Sequence, residues 1–229
     1  MAVQPVKRIG LSEPLKALRR IPIRENGEPL VDILAYSSEL RWAESHPVFD
    51  YVRVRWCRRT VAQMLARAQE RLPSGLHLAI VEGWRSPEVQ RMMYLHTWQE
   101  MRRRHPHWSE AAIRRLTNRF SAPPDDRCPP PHTTGGAVDL HLVRTDGTPL
   151  DMTSPYPEHA REAAPMFCPG LSAEARRNRE LMAEVLTAVG LTNYAAEWWH
   201  WSYGDSGWAY RTGAPYAIYG QVWPPDWEI

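Results

Sequence analysis

The stretch His132-Thr-Thr-Gly-Gly-Ala-Val-Asp-Leu-His-Leu-Val143 decides how this chain folds. Apolar residues at every second position predict a strand over 137–143 with one face in the core. Asp139 interrupts this apolar strand, and a buried carboxylate without a partner costs several kcal/mol or more. Gly135-Gly136 allows a sharp turn that returns His132 towards the Asp139 face of the strand. The stretch therefore predicts a metal-binding pair, His132 and Asp139, at the start of a central strand.

A second motif, Glu197-Trp-Trp-His200, supplies another imidazole and another carboxylate. Two histidines and one aspartate are three N/O ligands that leave a fourth position for water, the pattern of a catalytic zinc site. Glu197, three residues before His200, is where a general base would be useful. Residues three apart share a helix face, whereas the tryptophans favour a strand. In a strand, Glu197 and His200 share a site only if the strand twists, bulges or ends there.

Arg85 is a further candidate site residue. It follows the apolar segment 76–81, which predicts a buried strand, and it closes the motif Glu82-Gly-Trp-Arg85. A fixed cation there could stabilise the oxyanion that develops during hydrolysis, an effect of roughly 3–4 kcal/mol in comparable sites. An ordinary ion pair with Glu82 is the competing interpretation.

The remaining pattern predicts an α+β fold with a central, mainly antiparallel sheet and flanking helices, because strands and helices do not alternate regularly. Helix starts are predicted at a capping box beginning at Thr60 and at N-caps Ser86, Ser109 and Ser172. Further strands are predicted over 197–203 and 216–222. We expect one domain over 1–229, with residues 1–40 as an extension packing on it.

Composition narrows the classes of partner. The net charge is +2, and no apolar run approaches the ~18 residues of a membrane span, so neither nucleic acid nor a membrane is expected as a partner. Three widely spaced cysteines and no evident secretory signal favour free thiols and a cytoplasmic location. The arginines at 102–104, 114–115 and 119 are expected to form a solvated helix face. Other histidines, His141 and His159 included, and Cys128 are not expected to bind metal, and no pattern indicates an oligomeric state.

In their order along the chain, the three motifs resemble the zinc D-alanyl-D-alanine dipeptidases of the VanX type, in peptidase family M15 with its hedgehog-like zinc fold. The resemblance covers about residues 40–205. It implies that one Zn2+ is bound by His132, Asp139 and His200, that Glu197 is the catalytic base and that Arg85 stabilises the transition state. It also implies a small dipeptide substrate, D-Ala-D-Ala, a precursor of the cell-wall peptidoglycan.

The chain departs from this family at two places. The family commonly has serine just before its first histidine ligand, where this chain has Pro130-Pro131. The family stretch Met-Gly-(Ser/Thr)-x-Phe-Asp corresponds here to Met152-Thr-Ser-Pro-Tyr-Pro157, so Pro157 replaces an aspartate that helps to hold the substrate amine, and Glu158 is the nearest substitute. Three alternatives therefore stay open: a related peptidase for another dipeptide or a muropeptide, a non-catalytic zinc-binding module, and an inactive structural domain.

Overall fold

A computed structural model describes residues 13–43, 51–158 and 160–224. In chain order its elements are α1 (Leu15–Leu18), β1 (Leu30–Asp32), β2 (Arg41–Trp42), β3 (Trp56–Arg58), α2 (Arg59–Gln69), β4 (Leu76–Glu82), α3 (Pro87–Arg104), α4 (Glu110–Thr117), β5 (Ala137–Arg144), α5 (Ala173–Ala188), β6 (Thr192–Asn193), β7 (His200–Ser202) and α6 (Ser206–Thr212). Short 3-10 turns cover Ile33–Tyr36, Pro131–Thr134 and Arg161–Ala163.

The central sheet has the strand order β2-β4-β5-β7-β6, and a separate antiparallel pair joins β1 to β3. Within the central sheet β2 runs parallel to β4, and every other neighbouring pair is antiparallel. The predicted α+β fold with a mainly antiparallel sheet is therefore confirmed. The register places Asp139 opposite His200 on one side and Glu82 on the other.

The core lies on one face of this sheet. Val138, Leu140 and Leu142 of β5 are fully buried, as their alternation predicts, and they belong to the main apolar cluster together with residues of α2 and α5. This packing leaves the amino-terminal end of β5, where Asp139 lies, free to face the site.

Three of the predicted helix starts are confirmed. The hydroxyls of Ser86, Ser109 and Ser172 each accept a hydrogen bond from the backbone N–H three residues later. The start predicted at Thr60 is wrong, because α2 begins at Arg59 and its N-cap residue makes no side-chain bond. The carboxylate of Glu28 accepts the Thr60 backbone N–H and hydroxyl instead, so a residue distant in sequence caps this helix.

Two predicted strands are corrected. The strand expected over 197–203 begins only at His200, because Glu197 to Trp199 form a turn. No strand forms over 216–222. There the backbone N–H groups of Ile218 and Val222 bond to Gly204 and Thr133, and Ala217 forms only an isolated bridge to Ile23. The segment crosses several elements rather than following one strand.

The described part of the N-terminal region contacts the rest of the chain. Glu13 pairs with Arg211 at 2.6 Å, Glu25 pairs with the buried Arg58 at 2.9 Å, and β1 joins β3. The boundary at residue 40 and the single-domain organisation stay predictions. The three cysteines are free and buried. In the described ranges no helix combines the length and apolarity needed to cross a membrane.

Candidate metal and catalytic site

The structure brings the three predicted ligands together. Asp139 Oδ1 lies 3.0 Å from His200 Nδ1 and 3.3 Å from His132 Nε2, and the two histidine nitrogens are 3.2 Å apart. All three residues are buried. Asp139 and His200 meet because they are cross-strand partners in the β5–β7 ladder. In the described parts of the chain, this is the one cluster of at least three such side chains able to hold a metal ion.

A glycine turn brings His132 to the same point. The 3-10 turn carrying His132 ends at Gly135, whose φ of +69° lies in the left-handed region that favours glycine. A Cβ on Gly136 would lie 2.6 Å from the backbone oxygen of Tyr203, so a side chain there would force the backbone to move. Both glycines are therefore needed for the predicted sharp turn, which brings His132 back towards Asp139.

Backbone contacts orient the His132 ring. Its Nδ1 donates to the carbonyl oxygen of Gly83 at 2.8 Å, which leaves Nε2 directed at Asp139. A second hydrogen bond of this kind is what fixes the tautomer of a metal-binding histidine. In return, the Arg85 backbone N–H donates to the His132 carbonyl oxygen at 3.2 Å. The donor set of two imidazoles and one carboxylate, oriented in this way, fits a zinc ion.

The charges of the cluster reinforce one another. Burial by itself raises the pKa of Asp139, but the charge and hydrogen bonds of His132 and His200 hold that pKa well below its usual range. Burial lowers the pKa of His132, and the Asp139 carboxylate outweighs this and raises it. Asp139 is therefore ionised at neutral pH, as a metal ligand must be.

Glu197 lies in the turn between β6 and β7, which answers the geometric question that the sequence leaves open. The turn places Glu197 and His200 on the same cavity without a bulged strand. The side-chain amide of Asn193 donates to the carbonyl oxygens of Glu197 at 2.8 Å and His200 at 3.0 Å, which holds the turn closed. Burial raises the pKa of Glu197 above its usual value, and such a carboxylate is a stronger base.

Arg85 forms the ion pair with Glu82 that was the competing interpretation, and it also lines the cavity. Its Nε donates to Glu82 Oε1 at 2.9 Å, its Nη2 contacts Oε2, and its Nη1 donates to Gln90 at 2.7 Å. Burial opposes the charge of Arg85, but the Glu82 carboxylate holds its pKa above the usual value. A guanidinium has five N–H donors, so two remain for a ligand. The ion pair with Glu82 therefore holds the guanidinium in place and leaves two of its N–H donors for a ligand.

The three predicted ligands, Glu197 and Arg85 line one cavity of about 990 Å³. Sequence reasoning missed much of its wall, including α1, α4, Tyr194 and the two arginines Arg115 and Arg119. These arginines are exposed, as expected of a solvated helix face, but Arg115 and Arg119 also line the cavity, which was not expected. Their spacing of four residues was the available signal, but nothing in the sequence indicates that α4 faces the site.

Other expectations about the wall have mixed outcomes. Pro130, Pro131 and Cys128 line the cavity, but Cys128 is not part of the metal cluster. No residue of the 152–158 segment lines it, and Glu158 is exposed. His141 also lies outside the cluster, and His159 lies outside the described residues.

The donor set of two imidazoles and one carboxylate is typical of metal-dependent hydrolases. The family of M15 peptidases described as "D-ala-D-ala dipeptidase" matches residues 50–217. This chain therefore belongs to the D-Ala-D-Ala dipeptidase family, and it is a peptidase.

Among its relatives, the D-alanyl-D-alanine dipeptidase of Synechocystis sp. is 27% identical over 243 residues, covering 91% of this chain and 98% of that protein. The D-alanyl-D-alanine dipeptidase of Escherichia coli K12 is 37% identical over 70 residues, 30% of this chain and 35% of that protein. Similar solved structures include VanYB in complex with D-alanine-D-alanine, with 13% identity, a TM-score of 0.43 and coverage of 76% of this chain and 91% of that chain. A VanY D,D-pentapeptidase variant in complex with Zn(II) has the same identity and TM-score and covers 86% of this chain and 94% of that one.

Proposed function

We propose that this chain is a zinc-dependent D,D-peptidase that hydrolyses the peptide bond of D-alanyl-D-alanine. The observation that carries the proposal is the buried convergence of His132, Asp139 and His200, with contacts of 3.0–3.3 Å between their ligand atoms. The names of the relatives supply the substrate class.

His132, Asp139 and His200 would hold the ion. Zinc in a three-ligand site lowers the pKa of water to about 7 and polarises a carbonyl oxygen. Glu197 accepts the proton of the attacking water and passes it to the leaving amine, a contribution of roughly 10²–10⁴ in rate. The remaining donors of Arg85 stabilise the negative charge that develops on the carbonyl oxygen.

The test is amine release from D-Ala-D-Ala by the zinc-loaded protein, with L-Ala-L-Ala alongside and Glu197→Gln as the inactive control. The proposal predicts turnover of the D,D-dipeptide, none of the L,L-dipeptide, and a loss of roughly 10²–10⁴ in kcat for the variant. Bound zinc without turnover of any peptide would instead indicate a non-catalytic zinc-binding module. Absence of stoichiometric zinc would indicate a structural domain.

A second candidate, hydrolysis of the same bond at the end of a longer peptide, is favoured by the cavity. Its volume of about 990 Å³ lies at the upper end of the roughly 300–1,000 Å³ of pockets for drug-sized ligands. A free dipeptide would fill only a small part of it.

A further inference from the structure

Among the described residues that line the cavity, no carboxylate is free to bind the amino group of a dipeptide. Of the described residues that line it, those with a carboxylate are Glu13, Asp139 and Glu197. Asp139 is engaged by both histidines, and Glu197 is the proposed base. Glu13 is bound to Arg211 at 2.6 Å, and both side chains are more than nine-tenths buried. A substrate ammonium would therefore lose water without gaining a counter-charge, which is costly.

The segment that carries the amine-binding aspartate in the resembled family does not compensate. The position corresponding to that aspartate is Pro157, which has no charge. Glu158, the next residue, is exposed and does not line the cavity. The sequence departure and the placement of the segment thus point the same way, to a site without selection for a free amine.

Positive charge, by contrast, lines the cavity on the side of α4. Arg115 and Arg119 line the cavity from α4 and the turn after it, and in the described ranges neither is paired with a carboxylate. Arg114, between them in the same region, is paired with Glu110 at 3.7 Å and does not line the cavity. Guanidinium groups facing a cavity favour carboxylate or phosphate ligands, which they can bind through two parallel hydrogen bonds.

Geometry connects this wall to the reacting centre. Tyr194 lines the cavity together with Arg119, and the Tyr194 ring lies 6.1 Å from the His200 ring. The wall of the same cavity also carries apolar side chains, among them Leu15, Leu116 and Phe120. This wall suits a short carbon chain that ends in an acid.

We propose that this site takes D-Ala-D-Ala peptides whose amino end is blocked or extended by an acid-bearing group, which Arg115 and Arg119 bind. This inference rests on the proposed function, because it places the D-Ala-D-Ala end at the metal cluster. It names the two arginines as specificity-determining residues outside the reacting centre.

Three substrates test the inference: D-Ala-D-Ala, N-acetyl-D-Ala-D-Ala and N-succinyl-D-Ala-D-Ala. The acetyl group removes the amine charge, and the succinyl group adds a carboxylate on a two-carbon spacer. We expect zinc-loaded protein to hydrolyse the acetyl peptide at least as efficiently as the free dipeptide. We expect the succinyl peptide to have a kcat/KM about 10-fold higher than the acetyl peptide, as one additional charged hydrogen bond would give. High salt should reduce that ratio.

Variants test whether the two arginines cause the difference in kcat/KM between the succinyl and acetyl peptides. In Arg115→Gln/Arg119→Gln the succinyl-to-acetyl ratio should fall towards one, whereas Arg114→Gln should keep the wild-type ratio. Binding supplies a second readout: calorimetry with Glu197→Gln should give a Kd about 10-fold lower for the succinyl than for the acetyl peptide. All three arginines are exposed, so the substitutions should leave the melting temperature unchanged.

The outcomes separate the two proposals. Hydrolysis of D-Ala-D-Ala without hydrolysis of the acetyl peptide would overturn the inference and keep the proposed function. A succinyl-to-acetyl ratio near one, or a ratio that survives in the double variant, would overturn it as well. If none of the three peptides is hydrolysed, the proposed function fails and the inference fails with it.

Discussion

Replacing Arg179 by methionine should destabilise the segment that supports the Glu197 turn. Arg179 is 1% exposed, and its guanidinium donates to the carbonyl oxygens of Met152 at 2.7 Å, Ala163 at 2.6 Å and Pro165 at 2.7 Å. The segment it holds is joined to the turn, because the Trp198 backbone N–H donates to Ala164 O at 2.9 Å. Methionine keeps the apolar stem but removes every donor.

The magnitude follows from two opposing terms. Each of three buried carbonyl groups left without a donor costs roughly 1–3 kcal/mol, so the direct loss is roughly 3–9 kcal/mol. Removing a buried guanidinium gives back several kcal/mol of desolvation, and burial already lowers the pKa of Arg179 to about 10. We expect a net loss of about 3 kcal/mol in the free energy of unfolding, or roughly 10 °C in Tm for a chain of this size.

Urea unfolding monitored by tryptophan fluorescence measures this loss, with Arg176→Met as the matched control. Arg176 is exposed on the same helix, so its substitution should change stability by less than about 0.5 kcal/mol. If Arg179→Met loses less than about 1 kcal/mol, the three carbonyl bonds do not hold the segment and the reasoning is refuted.

Three further predictions concern the site. Because burial raises the pKa of Glu197, and only the ionised carboxylate can accept a proton, kcat/KM should decline as pH falls through a value above the usual 4.5; a pH–rate profile with no acid limb above that value would contradict this. Asp139→Asn should no longer bind stoichiometric zinc. A chelator should therefore lower the Tm of the wild-type protein but not that of the variant. An unchanged wild-type Tm would exclude a contribution of the metal to stability. Gly136→Ala should lower the stability of the protein by about 2 kcal/mol, because the new Cβ would lie 2.6 Å from Tyr203 O. In the control Gly220→Ala the nearest atom to the new Cβ is 3.4 Å away, so thermal unfolding should be nearly unchanged. Equal effects of the two substitutions would refute the clash.

The sequence predicts the elements whose signals are local. The alternation around Asp139 and the serine caps depend on neighbours within a few residues, and the structure has them as predicted. The convergence of His132, Asp139 and His200 also follows, since a carboxylate in an apolar strand requires a partner. Their roles as ligands remain predictions until metal is measured.

The errors arise where distant segments decide the outcome. The Glu28 carboxylate caps α2 from 32 residues away, so the local Thr60 motif is not used. The segment 216–222 bonds to the Gly204 and Thr133 regions, which no periodicity within it could indicate. The placement of α4 beside the cavity depends on tertiary packing, and for this reason the sequence does not show that Arg115 and Arg119 line the cavity.

The reciprocal link between His132 and the segment 83–85 affects how this enzyme can diverge. Both bonds use a main-chain atom, with His132 donating to Gly83 O and the Arg85 N–H donating to His132 O. Substitution of side chains elsewhere in the chain therefore leaves these two hydrogen bonds, and the position of His132 relative to Arg85, unchanged. The exposed side chains of α4, Arg114 and Arg115 among them, are by contrast free to vary. Selection can therefore change which peptides are admitted while the reactive centre keeps its geometry, and new substrates are within reach of a few surface mutations.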